Sequence, residues 1–343
     1  MITPITAQLL FDKLKDIKIG GQICLFTEEK CGELAPVINE INALKAKKNA
    51  VILAHTYVSP EIIFGVADFV GDSYALSVDA KNTSADVIVF SAVKFMAETA
   101  KILNPDKDVL VPSTLNGCSL ADSITGEHVR KLRTQYPDFA FVCYINTTAD
   151  VKAECDVCVT SSNVYDIVER IPNQNIYFLP DKLMGQNIIV EMKRRGVQKN
   201  ILLWDGTCYV HEEYDPELIH YMRLEHPDVK VVSHPECSPA ILKQSDYVGS
   251  TSQMIDYVKN TSANQFFILT ECGLTTRLQL EFPEKKLVGS CTMCKYMKSN
   301  TLYDILRVLK SPNPEDHIVL NPDLQTKARH CIEQMFAYTA AKK

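Results

Sequence analysis

An internal repeat is the strongest constraint in this sequence. A short apolar run ends in a polar side chain three times, at His55, Asn146 and His234, and the successive ends are 91 and 88 residues apart. Self-similarity at a nearly constant interval indicates repeated structural units. The sequence therefore predicts three similar units packed against one another.

Two further landmarks follow in each predicted unit. A short strand, a Ser/Thr-rich turn and an amphipathic helix begin at Ala85, Cys155 and Ser245. A cysteine then follows a turn, at separations of 90 and 86 residues, at Cys118, Cys208 and Cys294. The predicted bounds are 36–117, 118–207 and 208–311 for the three units, with helical segments at 1–35 and 312–343.

The periodicity predicts the fold class. Apolar, β-branched runs alternate with segments of helical spacing, which is typical of parallel strands joined by crossover helices. The strand candidates begin with Ala50–Ala54 and Val87–Phe90 and end with Lys286–Val288. We expect an α/β protein of three three-layer αβα units with short parallel sheets, arranged with pseudo-threefold symmetry around a central site. Ligands bind at the carboxyl ends of such strands.

Composition excludes several classes of protein. The 343 residues carry 36 Lys+Arg and 42 Asp+Glu, so no basic face is available for nucleic acid. The longest apolar runs are strand-sized and fall short of the ~20 residues that span a bilayer. The first residues lack the pattern of a secretory signal. We expect a cytoplasmic protein that contacts neither nucleic acid nor membrane.

Twelve cysteines in a cytoplasmic chain require an explanation other than a disulfide framework. With a pseudo-threefold axis, Cys118, Cys208 and Cys294 would converge on one metal centre. Thiolates suit iron–sulfur clusters, and three of them on a [4Fe–4S] cluster leave one iron open. An open iron is a Lewis acid that can bind a substrate oxygen and assist loss of water.

Other roles for the cysteines stay open. Cys155–Cys158 and Cys291–Cys294 are both C-x-x-C pairs, which could bind zinc together. Cys155 and Cys158 are predicted on opposite faces of a strand, which argues against that. Cys291 and Cys294 could also form a redox-active dithiol. Six more are most simply small buried or incidental side chains: Cys24, Cys31, Cys143, Cys237, Cys272 and Cys331.

Hydroxyl side chains cluster at predicted helix starts. The clusters are Gly71-Asp72-Ser73, Thr160-Ser161-Ser162-Asn163 and Gly249-Ser250-Thr251-Ser252. Each is also explained by ordinary N-capping, but three together favour a shared pocket for a polyanionic small molecule. The polar strand-end residues face that pocket: His55, Tyr57, Tyr144, Asn146, His234 and Glu236. His211, three residues after Cys208, belongs either to the pocket or to its surroundings.

Several dispersed motifs together resemble one known family. AHTY, GDSYALS, NGCSLAD, YINTTAD, WDGTCYVH, HPEC, GSTSQM and CKYMKSNTL occur in that order between Pro36 and the helix after Cys294. In this combination the sequence is similar to the quinolinate synthases, the A proteins of bacterial NAD biosynthesis. Two positions depart from the usual family pattern, because Lys295 follows the last cysteine where proline is common and Tyr209 follows Cys208 where some relatives have histidine.

The resemblance implies a cofactor, a reaction and a set of site residues. The cofactor is a [4Fe–4S] cluster on Cys118, Cys208 and Cys294. The reaction condenses iminoaspartate with dihydroxyacetone phosphate to quinolinate, phosphate and two waters, and an L-aspartate oxidase is a candidate supplier of iminoaspartate. The implied substrate contacts are His55, Tyr57, Ser73, Tyr144, Asn146, Ser161, His234, Glu236 and Thr251. We expect Tyr57, His234 and Glu236 to act as acids and bases.

Two other functions share parts of this pattern. An iron–sulfur hydro-lyase acting on a different small acid would also use an open iron but would need no triose phosphate. A zinc-dependent or redox-regulated binding protein would use the C-x-x-C pairs instead.

Overall fold

The structure, a computed structural model, describes residues 4–18, 26–289 and 291–341. Cys24 lies outside these residues. Within them, every helix is too short or too polar to cross a lipid bilayer.

The described strands form three sheets of four strands each, and neighbouring strands pair in parallel. The order is the same in each sheet, with the second strand at one edge, then the first, the third and the fourth. The prediction of an α/β fold with three similar αβα units is confirmed. We number the units by their sheets, and the predicted residue boundaries between units stay predictions.

The strands are short, as expected for parallel strands buried between helices. Those of the first unit are β1 (Ala50–His55), β2 (Phe69–Gly71), β3 (Val87–Ser91) and β4 (Asp108–Leu110). Those of the second are β5 (Ala140–Tyr144), β6 (Val157–Val159), β7 (Asn175–Leu179) and β8 (Asn200–Leu203). Those of the third are β9 (Lys230–Ser233), β10 (Tyr247–Val248), β11 (Gln265–Leu269) and β12 (Lys286–Val288).

Helices connect the strands and cover the sheets. Up to the start of the second sheet they are α1 (Ala7–Leu14), α2 (Glu28–Lys48), α3 (Pro60–Gly65), α4 (Ser73–Asn82), α5 (Lys94–Leu103) and α6 (Gly126–Gln135). In the second unit they are α7 (Ala149–Lys152), α8 (Val164–Arg170) and α9 (Lys182–Arg194). The remainder are α10 (Tyr209–Glu212), α11 (Pro216–Glu225), α12 (Pro239–Gln244), α13 (Thr251–Asn260), α14 (Cys272–Glu281), α15 (Lys295–Lys298), α16 (Leu302–Lys310) and α17 (Pro322–Ala340).

The terminal helices extend two of the cores. Helix α2 packs against α1, α16 and β1, whereas the C-terminal helix α17 packs against β6, α7 and α8 of the second unit. In the third unit, Val231 and Phe267 belong to one buried cluster while Val232 and Phe266 belong to another. This alternation shows that the third sheet is covered on both faces.

The strand register corrects the predicted alignment of the repeats. In each unit the last residue of the first strand that pairs with the third strand is at an equivalent place, namely Ala54, Cys143 and Ser233. The polar residues that follow are His55, Tyr144 and His234. The sequence spacing suggested that Asn146 is equivalent to His55, and the strand register shows that this alignment is wrong. Asn146 lies two residues further on, at the position of Tyr57 and Glu236.

A second landmark was also misaligned in the first unit. The segment from Ala85 contains β3, a third strand, whereas the segments from Cys155 and Ser245 contain the second strands β6 and β10. The true counterpart is the segment that contains β2. Sequence analysis missed β2 because it has only three residues and Phe69 is 40% exposed, which hides the apolar pattern of a buried strand.

The corrected alignment reveals an aspartate that anchors each sheet. In each unit this residue precedes the second strand, and its Oδ2 accepts a hydrogen bond from a backbone N–H of the first strand. The pairs are Ile52 N to Asp68 at 2.7 Å, Phe141 N to Asp156 at 2.7 Å and Val231 N to Asp246 at 2.8 Å. Each carboxylate also pairs with a cation, namely Lys45, Arg133 and Arg223 respectively. The aspartates thus join the first two strands in every unit.

Replacing one anchor should destabilise the protein. In the Asp156→Ala variant the N–H of Phe141 loses its acceptor and Arg133 loses its carboxylate partner, which we expect to lower the free energy of unfolding by about 1–2 kcal/mol. Urea denaturation measures the change. Asp138→Ala, at an exposed position of the same unit, is the control and should change it by less than about 0.5 kcal/mol. An equal effect of both substitutions would show that the anchor does not stabilise the sheet.

Candidate active site

The polar strand ends of all three units are placed in equivalent positions at one end of their sheets. His55, Tyr144 and His234 are almost completely buried, and so is Glu236, while Tyr57 and Asn146 are partly buried. Buried polar side chains require hydrogen-bond partners. Tyr144 and Tyr57 find these partners in the third unit, at Glu236 and Thr270 respectively.

Both histidines have the same local geometry. Nδ1 of His55 accepts a hydrogen bond from the N–H of Tyr57 at 3.1 Å, and Nδ1 of His234 accepts one from the N–H of Glu236 at 3.4 Å. An imidazole that accepts at Nδ1 carries its proton at Nε2. Burial lowers the pKa of His55 to about 4 and that of His234 to about 3. At neutral pH both side chains are therefore neutral, and each can donate through Nε2.

A chain of hydrogen bonds joins the three units. Tyr144 OH donates to Oε1 of Glu236 at 2.6 Å, and Oε2 of Glu236 lies 3.2 Å from Nδ1 of His211. Nε2 of His211 lies 2.9 Å from Oγ1 of Thr270, which in turn lies 2.7 Å from the hydroxyl of Tyr57. His211 therefore belongs to the pocket. The sequence alone had not decided between the pocket and its surroundings for this residue. The chain runs from the second unit through the third to the first.

Charge is unevenly distributed along this chain. Although burial would raise the pKa of Glu236, His211, His234 and the hydrogen bond from Tyr144 together lower it to about 2. Glu236 is therefore an ionised acceptor, and the Nδ1–H of His211 donates to it. Nε2 of His211 then accepts from the Thr270 hydroxyl. Burial raises the pKa of Tyr57 well above its ordinary value, so its phenol keeps its proton.

The predicted helix-start clusters also meet. Ser73, Ser161 and Thr251 are at equivalent positions in the corrected repeat, one residue after the helix-capping positions of Asp72 and Ser250. The Ser250 hydroxyl donates to Oδ2 of Asp72 at 3.0 Å, and Nε2 of Gln253 donates to the carbonyl of Ser162 at 3.3 Å. The starts of α4, α13 and the turn before α8 are thus in contact.

Two cations lie near the strand end of the first unit. Nη1 of Arg277 donates to the Thr56 hydroxyl at 3.1 Å, and Nζ of Lys298 donates to the carbonyl of Tyr57 at 2.5 Å. Both charges act on the neighbouring His55. Sequence analysis assigned no cation to the pocket, because neither residue belongs to the repeated pattern.

A further buried acid lies beside the network. Asp181 follows β7 at the position that Glu271 occupies after β11, and its Oδ2 is buried without a hydrogen-bond partner among the described residues. Burial, followed by the charge of Glu236, raises the pKa of Asp181 well above its ordinary value. Asp181 therefore holds its proton more tightly than an ordinary aspartate, which suits a group that donates a proton or a hydrogen bond.

Cys118, Cys208 and Cys294 differ from the other free cysteines. They alone among the free cysteines of the described residues are partly exposed, whereas the remaining six are buried. The Cys208 sulfur is close enough to those of Cys118 and Cys294 for electrostatic interaction, and Cys118 interacts likewise with Cys294. The three sulfurs therefore lie near one another, and their role as ligands of one metal centre stays a prediction.

Backbone N–H groups interact with two of these three sulfurs. The N–H groups two and three residues later interact with the sulfur of Cys118 and, identically, with that of Cys294. Cys208 and Cys294 also share one backbone conformation, with φ and ψ of −88° and 114° against −82° and 108°. Burial raises the pKa of Cys118 to about 12, so a bound metal would have to supply the driving force for deprotonation. The donor set fits an iron–sulfur cluster held by three thiolates.

A second possible donor set overlaps this one. The ligand atoms of Cys208, His211 and Glu236 lie within 4.8 Å of one another. His211 and Glu236 already use these atoms in hydrogen bonds to each other, Thr270 and Tyr144. A metal held there would break the buried chain, so we favour the three thiolates.

The structure pairs the other cysteines differently from the sequence-based hypotheses. Cys291 forms a disulfide with Cys272 and not with Cys294, so the suggested dithiol is wrong, and Cys272 is not incidental. Cys155 precedes β6 instead of lying on it. The prediction that the side chains of Cys155 and Cys158 point in opposite directions is wrong, because both interact with Cys143. Cys31 and Cys237 are buried, as expected.

Fold and site together define an α/β protein of three repeated units with a polar, thiol-lined centre. A family model described as NadA, quinolinate synthetase A protein, matches residues 39–337. The chain is 44% identical to quinolinate synthase 2 of Mesorhizobium japonicum over 301 residues, which cover 88% of this chain and 90% of the relative. It is 40% identical to the quinolinate synthase of Xylella fastidiosa over 335 residues, covering 95% and 97%. The chain belongs to the quinolinate synthetase A family.

The protonation of His234 should make stability depend on pH. Its pKa is about 3 in the folded protein against 6.5 ordinarily, so below about pH 6.5 only the unfolded chain takes up this proton. The free energy of unfolding should therefore fall as the pH is lowered from about 6.5 to 4, and His234 should contribute up to about 1.4 kcal/mol per pH unit. His234→Gln should make this slope shallower, measured by urea denaturation at several pH values. His128→Gln, at an exposed position, should leave the slope unchanged, and a slope unaffected by His234→Gln would contradict the burial of a neutral imidazole.

Proposed function

We propose that this chain is a quinolinate synthase that condenses iminoaspartate with dihydroxyacetone phosphate and releases phosphate and two waters. Family membership supports the reaction. The observation that carries the proposal is the meeting of three repeat-related cysteines with one buried acid–base chain that spans all three units. A cytoplasmic location is part of the proposal; nine of the eleven described cysteines are free thiols, as expected in a reducing compartment, and Cys272 and Cys291 form a disulfide. An L-aspartate oxidase is the proposed supplier of iminoaspartate.

Cys118, Cys208 and Cys294 would hold a [4Fe–4S] cluster. Bound there, the cluster would supply one iron without a protein ligand, a Lewis acid suited to assisting dehydration. The remaining free cysteines of the described residues are buried, and none shares the partial exposure of these three. The partial exposure of Cys118, Cys208 and Cys294 supports a cluster with one iron accessible to substrate.

The pocket is suited to anionic substrates. Two carboxylates and a phosphate require several donors, and Ser73, Ser161 and Thr251 offer hydroxyls beside helix starts, where unpaired N–H groups and the helix dipole favour negative charge. Lys298 and Arg277 add positive charge near His55. We propose that Asn146 and the Nε2–H groups of His55 and His234 orient the substrate by directional hydrogen bonds.

Tyr57 is the proposed entry to a proton relay. Its phenol can donate to Thr270, whose hydroxyl donates to Nε2 of His211. When Tyr57 takes a proton from the substrate, it can pass its own along this route, and His211 becomes cationic. Glu236, which is ionised, lies 3.2 Å from His211 and would stabilise that charge. The same steps in reverse return a proton to a leaving oxygen.

Substitution of the three cysteines tests the cofactor assignment. Replacing Cys118, Cys208 or Cys294 by serine should remove the visible absorption of an iron–sulfur cluster and most of the iron and sulfide from anaerobically purified protein, because each residue supplies one of three anchors. Cys31→Ser alters a buried cysteine in α2 and should retain the cluster. Loss of the cluster in the control as well, or its retention in all three variants, would remove the assignment.

Thr270 tests the relay. Thr270→Val keeps the shape of the side chain but removes the hydroxyl that links Tyr57 to His211, so we expect kcat for quinolinate formation to fall roughly 10²-fold. Iron and sulfide content should not change. Thr270→Ser retains the hydroxyl and should restore most of the activity. Normal turnover by the valine variant, or equal losses in both variants, would exclude a relay through this residue.

A further inference from the structure

Hydrogen bonds hold successive peptide groups of the Cys294 loop, which we define as residues 291–295. The N–H of Cys272 donates to the carbonyl of Thr292 at 3.1 Å, and the N–H of Thr292 donates to the hydroxyl of Tyr214 at 3.3 Å. The N–H of Cys294 itself donates to Oε1 of Glu271, a completely buried side chain, at 3.1 Å. These bonds fix the loop as far as the N–H of Cys294.

Tyr209 holds the peptide groups on both sides of Cys294. Its hydroxyl donates to the carbonyl of Met293 at 3.2 Å and accepts a hydrogen bond from the N–H of Lys295 at 2.8 Å. A phenol has one proton to donate and lone pairs with which to accept, so a single oxygen satisfies both groups. Tyr209 therefore fixes the stretch of backbone from which the Cys294 side chain projects.

Tyr209 is also adjacent to a second proposed ligand. It directly follows Cys208 as the first residue of α10, just as Lys295 follows Cys294 as the first residue of α15. Within the part of the chain that the structure describes, no other immediate sequence neighbour of Cys118, Cys208 or Cys294 has a side chain hydrogen-bonded to the loop of another of these cysteines. Tyr209 thus links the loops of Cys208 and Cys294 directly.

This link is short and rigid. A tyrosine side chain has two torsions, so fixing its hydroxyl costs less conformational entropy than fixing the end of a lysine or arginine. Groups that hold the ligands of a metal in place affect binding strongly, and replacing one commonly weakens metal affinity about 10- to 100-fold. A side chain that fixes two ligand loops relative to each other is a group of this kind.

We propose that Tyr209 is a positioning residue for the metal centre, because its hydroxyl holds the Cys294 loop at a fixed place relative to Cys208. The inference rests on the proposed function, in which both cysteines bind one iron–sulfur cluster. It requires the backbone N–H of Lys295 and not the side chain of this residue, which is exposed.

Release of iron tests the proposal without measuring turnover. Tyr209→Phe removes both hydrogen bonds, so anaerobically loaded protein should lose iron to an excess of a ferrous chelator about 10-fold faster than wild type. Lys295→Pro removes one donor and should accelerate release less, about threefold, because the bond to Met293 remains. Proline is accommodated at the first position of a helix, which Lys295 occupies. The double variant should release iron no faster than Tyr209→Phe, since both changes act through one hydroxyl.

Two matched controls separate the hydroxyl and the N–H from other effects. Lys295→Ala keeps the N–H, and Tyr221→Phe removes the hydroxyl of a tyrosine in α11 that is 59% exposed. Both should release iron at the wild-type rate. A wild-type rate in Tyr209→Phe, equal acceleration by Lys295→Pro and Lys295→Ala, or a double variant in which the two effects multiply would overturn the proposal.

Hydrogen exchange tests the same contact in protein without a cluster, so a variant that fails to load iron is still informative. The Lys295 amide should exchange about 10-fold faster in Tyr209→Phe than in wild type, because it has lost its acceptor. Unchanged exchange would overturn the inference. Wild-type protein that binds neither iron nor sulfide would contradict the proposed function and this inference together, whereas loaded variants that all release iron like wild type would overturn the inference alone.

Discussion

The polar centre of this protein depends on the register of three parallel strand pairs. In each unit an aspartate holds the first strand against the second, and a polar residue follows the last position at which the first strand pairs with the third. A slip of one residue would turn the polar strand end toward a core instead. Because the same register occurs three times, His55, Tyr144 and His234 are presented at equivalent places, and the residues two positions later complete the pocket.

Bringing these side chains together has an electrostatic cost that the network offsets. A carboxylate as deeply buried as Glu236 would be neutral without partners. The hydrogen bonds with Tyr144 and His211 stabilise its charge, and the charge in turn fixes which nitrogen of His211 carries a proton. The direction of the whole chain, from Tyr57 to Glu236, follows from that single ionised group. The same charge helps to raise the pKa of Asp181, whose Oδ2 has no hydrogen-bond partner among the described residues.

The sequence predicted the repeated parts of the structure better than the unrepeated ones. The three cysteines and the fold class could be inferred, because each copy of a pattern supports the others. Thr270 was missed since the residue after the third strand differs in every unit, being Ala92, Pro180 and Thr270. Spacing alone also misaligned Asn146 by two residues, because loops differ in length between units and only hydrogen-bonded register corrects for this.

Contacts between distant segments were the least predictable. Cys331 reaches Cys143 across 188 residues because a terminal helix packs on a sheet, and Cys272 pairs with Cys291 through a neighbouring turn. Neither pairing has a local pattern in the sequence. The C-x-x-C spacing suggested partners within each motif, whereas the fold supplies partners from elsewhere.

The central claim is that three thiolates, one from each repeat, hold a cluster with one iron exposed to the pocket. Mössbauer spectroscopy of protein loaded with ⁵⁷Fe, recorded with and without a dicarboxylate substrate analogue, tests this most directly. The account predicts that the signal of one iron in four changes when the analogue binds, while the other three keep the parameters of thiolate-bound iron. Four irons that all stay unchanged, or an iron content too low for a cluster, would contradict it.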